Sequence, residues 1–310
     1  MRILITGGAG FIGSHLAEHY QGRAEVRILD NLASGYRHNL DGLDVELIEG
    51  DIRDRSAVEA AVQGVDLVFH LAAMVSVPES MQRPIACDEV NTLGLLNVLR
   101  ASADAGVRKL VFSSSAANYG DDPEVPKRED MVPQPKSPYA ITKLGGEYYC
   151  RMFHDEGLLR TACLRYFNVF GPRQDPRSAY AAAVPIFLTK ALAHEPITVF
   201  GDGEQTRDFV YVKDVVAANA FMAEHAEHTG VYNVGYGRSI TINQLARKLI
   251  DLTGSSSTVE HRAARAGDVQ HSRAAIDRLL ATGFTHVGDF ETGLARTVEH
   301  FRRARVAGAR

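Results

Sequence analysis

The chain has 310 residues, of which 45% are hydrophobic and 23% charged, with a formal net charge of −4, as in an ordinary globular protein. This charge gives no basic surface for nucleic acid or anionic lipid, and the apolar runs are too short to span a bilayer, so we expect neither partner. Met1 is followed at once by the strand-like RILITGG, and Cys87, Cys150 and Cys163 form no CxxC pair, so we expect a cytoplasmic protein with reduced thiols and no metal site.

Short apolar runs alternate with amphipathic segments through the first half of the chain. The runs are almost continuously apolar, which is typical of strands buried on both faces. The predicted strands are RILIT (2–6), EVRILD (25–30), VELIEGD (45–51), VDLVFHLAA (65–73), RKLVFSSS (108–115) and RTACLRYFNVFG (160–171). The predicted helices between them are 11–21, 54–63, 84–105 and 138–157. This order predicts an α/β fold with a Rossmann-like, doubly wound parallel sheet.

The character of the sequence changes after Gly171, where Gly and Pro become denser and the elements shorten. Residues 208–225 are predicted to form a strand and a helix, 231–235 a strand, and 239–254 a helix that stops at Gly254. We therefore predict two domains. The first covers 1–170, and a smaller mixed α/β domain covers 171–310, with 205–225 returning to the first.

A glycine-rich turn follows the first predicted strand, in ITGGAGFIGSHLAEHY. Gly7, Gly10 and Gly13 would form a tight turn, admit a pyrophosphate and let the helix approach the sheet, and the helix N-terminus would supply amide donors. The GxxGxxG spacing departs from the GxGxxG fingerprint, so the strand–turn–helix context carries the prediction. Asp30 lies about 20 residues past Gly10, where a carboxylate binds the adenosine ribose and repels a 2′-phosphate. These features predict NAD rather than NADP as the cofactor, with Asp51 facing the adenine.

Tyr139 and Lys143 lie four residues apart in SPYAITK, on one face of a predicted helix. Ser115 ends the strand in VFSSSAANYG, at the carboxyl edge of the sheet where ligands bind in such folds. An ammonium close to a phenol favours the phenolate, so we expect Lys143 to lower the pKa of Tyr139. Tyr139 would then take a proton from a substrate hydroxyl that Ser115 also binds, while a hydride leaves the same carbon. The alternative is a surface Tyr–Lys pair and a turn-forming serine.

Motifs along nearly the whole chain, to about residue 301, resemble the extended short-chain dehydrogenase/reductase family, and most closely its nucleotide-sugar 4-epimerases. These motifs are TGGAGFIG, HLAA (70–73), SSSAANYG, YAITK, RYFNVFGPRQ (165–174) and GDGEQTRDFVYVKD (201–214). The resemblance implies a UDP-hexose 4-epimerase of the UDP-glucose/UDP-N-acetylglucosamine type, which keeps NAD bound and works through a transient 4-keto sugar. The first domain would bind NAD and the second the UDP-sugar.

The resemblance also implies roles for individual positions. Ser115, Tyr139 and Lys143 match the catalytic trio. The positions that match cofactor contacts are Gly7, Gly10, Phe11, Ile12, Gly13, Asp30, Asn31, Asp51, Ile52, Leu71, Ala72, Ala73, Asn91, Tyr139 and Lys143. The positions that match substrate contacts, beside Ser115 and Tyr139, are Asn168 at the diphosphate, Phe200 in the uracil pocket, and the phosphate-clamping arginines Arg207 and Arg265.

Residues near the trio separate related activities. Ala116 and Ala117 follow Ser115, where the 4,6-dehydratases place an Asp–Glu pair and the decarboxylases a Glu. Alanine transfers no proton, so oxidation followed by re-reduction remains. Asn118 stands where the family usually has an apolar residue, and it either bonds locally or faces the active site.

Ser272 matches a sugar-pocket position that is bulky and aromatic in epimerases restricted to glucose and galactose. A small Ser leaves room for a 2-N-acetyl group, since overpacking a pocket is costly. RQDPRSAYAAAVP (173–185) also resembles the N-acetylhexosamine branch. We therefore favour UDP-GlcNAc/UDP-GalNAc, with or without UDP-Glc/UDP-Gal. The alternative is that Ser272 is a small residue with no role in selection.

Other functions remain as alternatives. A UDP-glucuronate 4-epimerase needs a donor cluster for the C5 carboxylate, which the sequence does not reveal, and another extended dehydrogenase acting on nucleotide sugars is also possible. A non-catalytic NAD sensor would not need the intact trio. The family's dimers imply a homodimer formed through helices 84–105 and 138–157. The apolar positions that suit either this interface or the core are Val90, Leu93, Leu96 and Val98.

Overall fold

The structure is a computed structural model that describes residues 1–176, 182–264 and 269–308, with side chains described as far as residue 305. In chain order, its strands are β1 (Arg2–Thr6), β2 (Glu25–Asp30), β3 (Glu46–Glu49), β4 (Leu67–His70), β5 (Lys109–Ser115), β6 (Arg160–Tyr166), β7 (Asn168–Phe170), β8 (Ile197–Phe200), β9 (Thr206–Arg207), β10 (Phe209–Tyr211), β11 (Gly230–Val234), β12 (Ile240–Thr241) and β13 (Val259–Arg262). Its α-helices are α1 (Phe11–Tyr20), α2 (Arg55–Val62), α3 (Val77–Gln82), α4 (Pro84–Asp88), α5 (Gly94–Asp104), α6 (Pro138–Asp155), α7 (Ala183–Leu192), α8 (Val212–Glu224), α9 (Ile242–Thr253), α10 (Asp277–Leu280) and α11 (Phe290–Gly308). Arg37–Leu40 and Ala116–Tyr119 form 3₁₀ turns, and Glu89–Leu93 forms a π-helical turn.

The described chain builds a seven-stranded sheet in the order β11-β6-β5-β4-β1-β2-β3, with every neighbouring pair parallel. The predicted fold class is therefore confirmed. The strand order reverses between β1 and β4, and ligands bind at such a point beyond the carboxyl ends of the strands. The glycine-rich turn leaves β1 there and the HLAA segment ends β4, so both line the same crevice.

Helices cover both faces of this sheet because its strands are apolar on both sides. Ile3 and Ile5 of β1 enter one core with α1 and α8, while Leu4 enters the other core with α2, α5 and α6. A third core forms between β7, β8 and β10 and the helices α7, α9 and α11, around Phe170 and Leu245. None of the described helices is both long enough and apolar enough to cross a bilayer.

The predicted helix 239–254 is confirmed as α9. Thr241 and Gln244 exchange side-chain and main-chain hydrogen bonds in a capping box, and Gly254 ends the helix with a φ of 64°. The segment predicted as helix 84–105 is instead interrupted by the π-helical turn.

The strand predicted over 160–171 divides at Phe167. The Phe167 amide donates to the Val234 oxygen of β11, whereas the Asn168 amide donates to the Asp208 oxygen beside β10. The chain therefore leaves the large sheet after β6 and enters a two-stranded parallel pair, β7 with β10, next to the crevice.

Candidate active site

The glycine-rich turn is held tightly between β1 and α1. Gly7 adopts a φ of 72°, and a Cβ there would lie 2.7 Å from the Ala72 nitrogen. A Cβ on Gly13 would lie 2.3 Å from the Gly7 oxygen, so helix α1 sits against the turn as predicted. Among described atoms, a Cβ at Gly10 would meet only the Gly7 oxygen, at 3.2 Å, which leaves the outer side of the turn open to a pyrophosphate.

Phe11 and Ile12 are the first residues of α1, whose leading amides have no acceptor within the helix. This arrangement suits the phosphates of a dinucleotide, because the amides and the helix dipole both favour an anion. The turn and the start of α1 therefore fit NAD, and the residues of this segment would hold its diphosphate.

Asp30 ties the end of β2 to the glycine-rich turn. One carboxylate oxygen accepts the Ala9 amide at 2.9 Å and the other accepts the Leu32 amide at 2.8 Å. Each oxygen keeps a second lone pair, so the predicted contact with ribose hydroxyls remains chemically available.

Asn31 and Asp51 lie together beside this end of the crevice. The Asn31 amide donates to Asp51 at 2.9 Å, and Arg53 forms two further bonds to the same carboxylate at 2.8 and 2.9 Å. The Arg53 guanidinium holds the pKa of Asp51 well below its usual range. The neighbouring Ile52 is buried and packs against Gly94 of α5.

The segment Leu71, Ala72 and Ala73 follows β4 at the centre of the crevice. The Ala72 amide donates to the Thr6 hydroxyl at 3.3 Å, and that hydroxyl lies 2.8 Å from Nδ1 of His70. Burial lowers the pKa of His70 to about 3, and the charge of Lys143 acts in the same direction. His70 is therefore a neutral ring that buttresses the two strand ends.

Asn91 is hydrogen-bonded to Met74, directly after the Leu71–Ala73 segment. Its side-chain oxygen accepts the Met74 amide at 2.7 Å, and its nitrogen donates to the Met74 oxygen at 3.1 Å and to Thr142 of α6 at 3.0 Å. Asn91 thus connects the loop after β4 to the helix that carries Tyr139 and Lys143.

Ser115, Tyr139 and Lys143 are brought together at the carboxyl end of β5. Ser137 caps α6 by accepting the Ala140 amide, which places Tyr139 in the first turn of the helix. The Ser115 hydroxyl lies beside the Tyr139 phenol and acts to lower its pKa. The Lys143 ammonium lies 5.9 Å from the centre of the Tyr139 ring and is itself buried.

The electrostatics of the trio differ from the expectation. Burial raises the pKa of Tyr139, and the neighbouring Ser115 hydroxyl opposes this only in part. The expected decrease is therefore wrong for the protein alone, because the loss of hydration of the phenolate outweighs the effect of Ser115. Burial also lowers the pKa of Lys143 to about 8, so Lys143 is a cation below that pH.

A buried ion pair behind the trio was missed by the sequence analysis. Glu147, one helical turn after Lys143, forms two bonds to Arg165 of β6 at 2.7 and 2.8 Å. The same carboxylate accepts from the Ser114 hydroxyl at 2.5 Å and the Asn118 amide at 2.9 Å. Asn118 is fully buried and its amide bonds locally, which answers the question its unusual identity raised. The spacing of Lys143 and Glu147 on one helix face was the available signal.

The predicted substrate contacts Asn168, Arg207 and Ser272 converge on Thr206–Asp208. The main-chain and side-chain nitrogens of Asn168 both donate to the Asp208 oxygen, at 3.0 and 3.2 Å. The Ser272 amide donates to the Thr206 oxygen at 3.1 Å, and the Arg207 guanidinium donates to that oxygen at 2.8 Å.

Two further predictions concern segments near this point. Phe200 ends β8, and its main-chain oxygen accepts a hydrogen bond from the side-chain nitrogen of Gln205 at 2.8 Å. The end of this strand therefore lies close to β9. Arg265 lies outside the described residues, as do residues 177–181 of the segment 173–185.

Comparison with known proteins gives concordant matches. The model of the NAD dependent epimerase/dehydratase family matches residues 3–235. A UDP-glucose 4-epimerase of Mycolicibacterium smegmatis is 36% identical over 311 residues, covering 97% of this chain and 99% of the relative.

Two solved structures superpose on almost the whole chain. A UDP-N-acetylglucosamine 4-epimerase from Methanobrevibacter ruminantium, in complex with UDP-N-acetylmuramic acid, has a TM-score of 0.94 and 40% identity and covers 98% of each chain. A UDP-glucose 4-epimerase from Thermotoga maritima, with UDP-glucose, has a TM-score of 0.94 and 39% identity and covers 98% of this chain and 100% of its own.

Proposed function

The chain belongs to the NAD-dependent epimerase/dehydratase family, and we propose that it interconverts the C4 epimers of a UDP-hexose. The resemblance seen in its motifs is thereby confirmed, and the protein is an NAD-dependent nucleotide-sugar 4-epimerase. The observation that carries the proposal for its chemistry is the meeting of the Ser115 hydroxyl, the Tyr139 phenol and the Lys143 ammonium at the carboxyl end of β5.

The proposed cycle starts with a C4 hydroxyl placed against Tyr139 and Ser115. Tyr139 removes the hydroxyl proton, and Ser115 donates a hydrogen bond to the oxygen as it becomes a carbonyl. NAD, when bound in this crevice, supplies a reversible hydride acceptor for C4. The sugar then turns about its diphosphate bonds, and Tyr139 returns the proton when C4 is reduced from the opposite face. The substrate and product have the same oxidation state, so no external oxidant is consumed.

Tyr139 needs help to ionise, because its burial in the protein alone raises its pKa. Lys143 supplies one positive charge beside the ring, and it keeps that charge below a pH of about 8. The pyridinium charge of the cofactor would act in the same direction. Proton removal is thus coupled to occupancy of the dinucleotide crevice.

We assign the two halves of the chain to the two ligands. Residues 1–170 bind NAD through the glycine-rich turn, Asp30 and the segment after β4. Residues 171–310 bind the UDP-sugar, with 205–225 returning to the first domain. In support, α8 packs in the core beside α1.

The convergence of Asn168, Arg207 and Ser272 supports a site for the UDP diphosphate and sugar beside the trio. Because the side chain at 272 is small, we propose UDP-GlcNAc and UDP-GalNAc as substrates, with or without UDP-Glc and UDP-Gal.

The test is a turnover panel of these four UDP-sugars with the purified protein, together with mass spectrometry of the retained nucleotide. We expect interconversion within at least one epimer pair and recovery of NAD. No interconversion of any of the four would contradict the proposed function.

We also propose a homodimer through α4, the π-helical turn and α6. These helices pack together and present large apolar side chains to solvent, in a patch that a second copy would bury. The exposed members of this patch are Ile85, Leu93, Ile141, Tyr148 and Met152. Val98, by contrast, is fully buried in the core, so core packing explains that predicted position.

A further inference from the structure

Asp208 is a fully buried carboxylate that the sequence analysis did not single out. Its hydrogen bonds in the described part of the chain come from main-chain amides. One oxygen accepts the Tyr236 amide at 2.9 Å, and the other accepts the amides of Gly237 and Ala274 at 3.0 and 3.1 Å. One side chain therefore holds two segments that are far apart in sequence, the end of β11 and the segment after Ser272.

Burying a carboxylate costs free energy of hydration, so Asp208 is not an efficient means of stabilising the core. Charged groups lose hydration on burial, and replacing them with apolar residues is often neutral or stabilising. Burial raises the pKa of Asp208 to about 6 although three amides point at it. The cost suggests that Asp208 serves the site rather than the stability of the fold.

The surroundings of Asp208 connect Asn168, Arg207 and Ser272, the described residues outside the trio that we assign to the diphosphate and sugar. Its main-chain oxygen accepts both bonds from Asn168, and Arg207 directly precedes it. Ser272 is bonded to Thr206, and Ala274, which donates to the Asp208 carboxylate, lies two residues beyond Ser272. Displacement of this carboxylate would therefore shift Asn168, Arg207 and Ser272 relative to one another.

We propose that Asp208 is a positioning residue for the UDP portion of the substrate, because it fixes the segment around Ser272 and the end of β11 against the strand that carries Arg207. This inference rests on the proposed function. It adds that the affinity for the nucleotide diphosphate depends on a residue that lies beneath the site and carries no assigned contact with the ligand.

Asp214 provides a matched control. It is also fully buried, and its carboxylate accepts the amides of Val287 and Gly288 at 2.6 and 3.0 Å and the Tyr236 hydroxyl at 2.5 Å. It thus resembles Asp208 in burial and in its amide donors. Its main-chain donors come from the segment around Val287, which carries none of the residues assigned to the substrate. Its one link to the segment after β11 is the Tyr236 hydroxyl, which can accept a hydrogen bond as well as donate one.

The experiment compares Asp208→Asn with Asp214→Asn in purified, NAD-containing protein. An Asn has the same shape, but its amide nitrogen cannot accept a main-chain N–H. Titration with UDP in a calorimeter gives the affinity, and thermal unfolding gives the loss of stability. Asp208 receives main-chain amides on both oxygens, so Asp208→Asn must lose at least one of them and should bind UDP about tenfold more weakly. Asp214 receives its two amides on one oxygen, so Asp214→Asn can keep them and donate to the Tyr236 hydroxyl, and its UDP affinity should stay within about twofold of the wild type. Equal UDP affinities in the wild type and Asp208→Asn, or equal weakening by the two variants, would overturn the inference.

A measurement on the wild type covers the case in which Asp208→Asn does not fold. UDP should slow hydrogen exchange in peptides containing Tyr236 and Gly237, and not in those containing Val287 and Gly288. Failure to protect the former, or equal protection of both, would overturn the inference. If the wild type binds no UDP, the proposed function fails as well. If it binds UDP and turns over substrate while Asp208→Asn binds UDP equally well, only the role of Asp208 fails.

Discussion

The Lys143 ammonium donates a hydrogen bond to the main-chain oxygen of Ser113 at 2.8 Å. This bond fixes the charge of helix α6 to strand β5, two residues before Ser115, and so sets the position of the cation relative to Tyr139. The buried ammonium has one firmly placed acceptor and a ring of Phe112 at 5.0 Å from its nitrogen to the ring centre. Its burial makes its charge state depend on pH in the range where enzymes work.

The first prediction concerns the pH dependence of stability. Burial lowers the pKa of Lys143 to about 8 in the folded protein, from 10.5 in the unfolded chain, so the unfolded state binds more protons between these values. The contribution of Lys143 to the free energy of unfolding should therefore rise with pH from about 8 to 10.5 and stay flat below 8. Urea unfolding of the wild type and Lys143→Met across this range gives the difference directly. A constant difference would show that the ammonium is not desolvated, and Lys136→Met, at an exposed lysine, serves as the control.

The second prediction concerns the buried pair Glu147–Arg165. Glu147→Gln should lower the free energy of unfolding by about 3 kcal/mol, because it leaves the buried Arg165 charge uncompensated. Glu147→Gln combined with Arg165→Met should cost less than the sum of the two single changes, since the two groups depend on each other. The exposed pair Arg55–Glu59 is the control, and Glu59→Gln should change stability by less than about 0.5 kcal/mol. Additive single effects at 147 and 165 would contradict the coupling.

The third prediction concerns substrate choice. Ser272→Tyr should lower kcat/KM for UDP-GlcNAc by about tenfold or more, because the larger side chain would occupy the space of the N-acetyl group. The same variant should leave UDP-Glc turnover within about twofold. Ser272→Ala, which keeps a small side chain at this position, should retain turnover of both UDP-GlcNAc and UDP-Glc. Unchanged turnover of UDP-GlcNAc by Ser272→Tyr would show that residue 272 does not determine substrate specificity.

The fourth prediction concerns assembly. Light scattering of the wild type should give twice the chain mass of 33.9 kDa. The double variant Ile85→Asp, Met152→Asp places two charges in the proposed interface, where an unpaired buried charge is costly, and should shift the mass to that of one chain. Val132→Asp, at an exposed apolar residue outside α4 and α6, should remain dimeric. A double variant that stays dimeric would place the interface elsewhere.

The sequence predicted the large sheet well because its signal is local. Buried parallel strands are apolar on both faces, so runs such as RILIT and EVRILD are visible without tertiary information. The break at Phe167 was not visible, because it depends on which distant strand accepts each amide. Val234 accepts from Phe167 and Asp208 accepts from Asn168, and no pattern within 160–171 encodes either partner.

The residues of the candidate site also fall into those that local sequence predicts and those that depend on contacts between distant segments. Spacing within one element placed Tyr139 and Lys143 on one helix face, and the glycine-rich turn placed Gly7 and Gly13. The support that comes from distant segments was missed, as with Asp208, which receives amides from residues 236, 237 and 274. The expected decrease in the pKa of Tyr139 was wrong for a related reason, since burial is a property of the packed fold and here raises that pKa.

The central claim is that the phenol of Tyr139 transfers the C4 proton. The most direct test is the rate of UDP-hexose interconversion by Tyr139→Phe, in protein shown by mass spectrometry to retain NAD and by circular dichroism to be folded. Phenylalanine keeps the ring and removes the one group that can accept the proton, so we expect the rate to fall on the order of a thousandfold. An interconversion rate equal to that of the wild type would contradict the account.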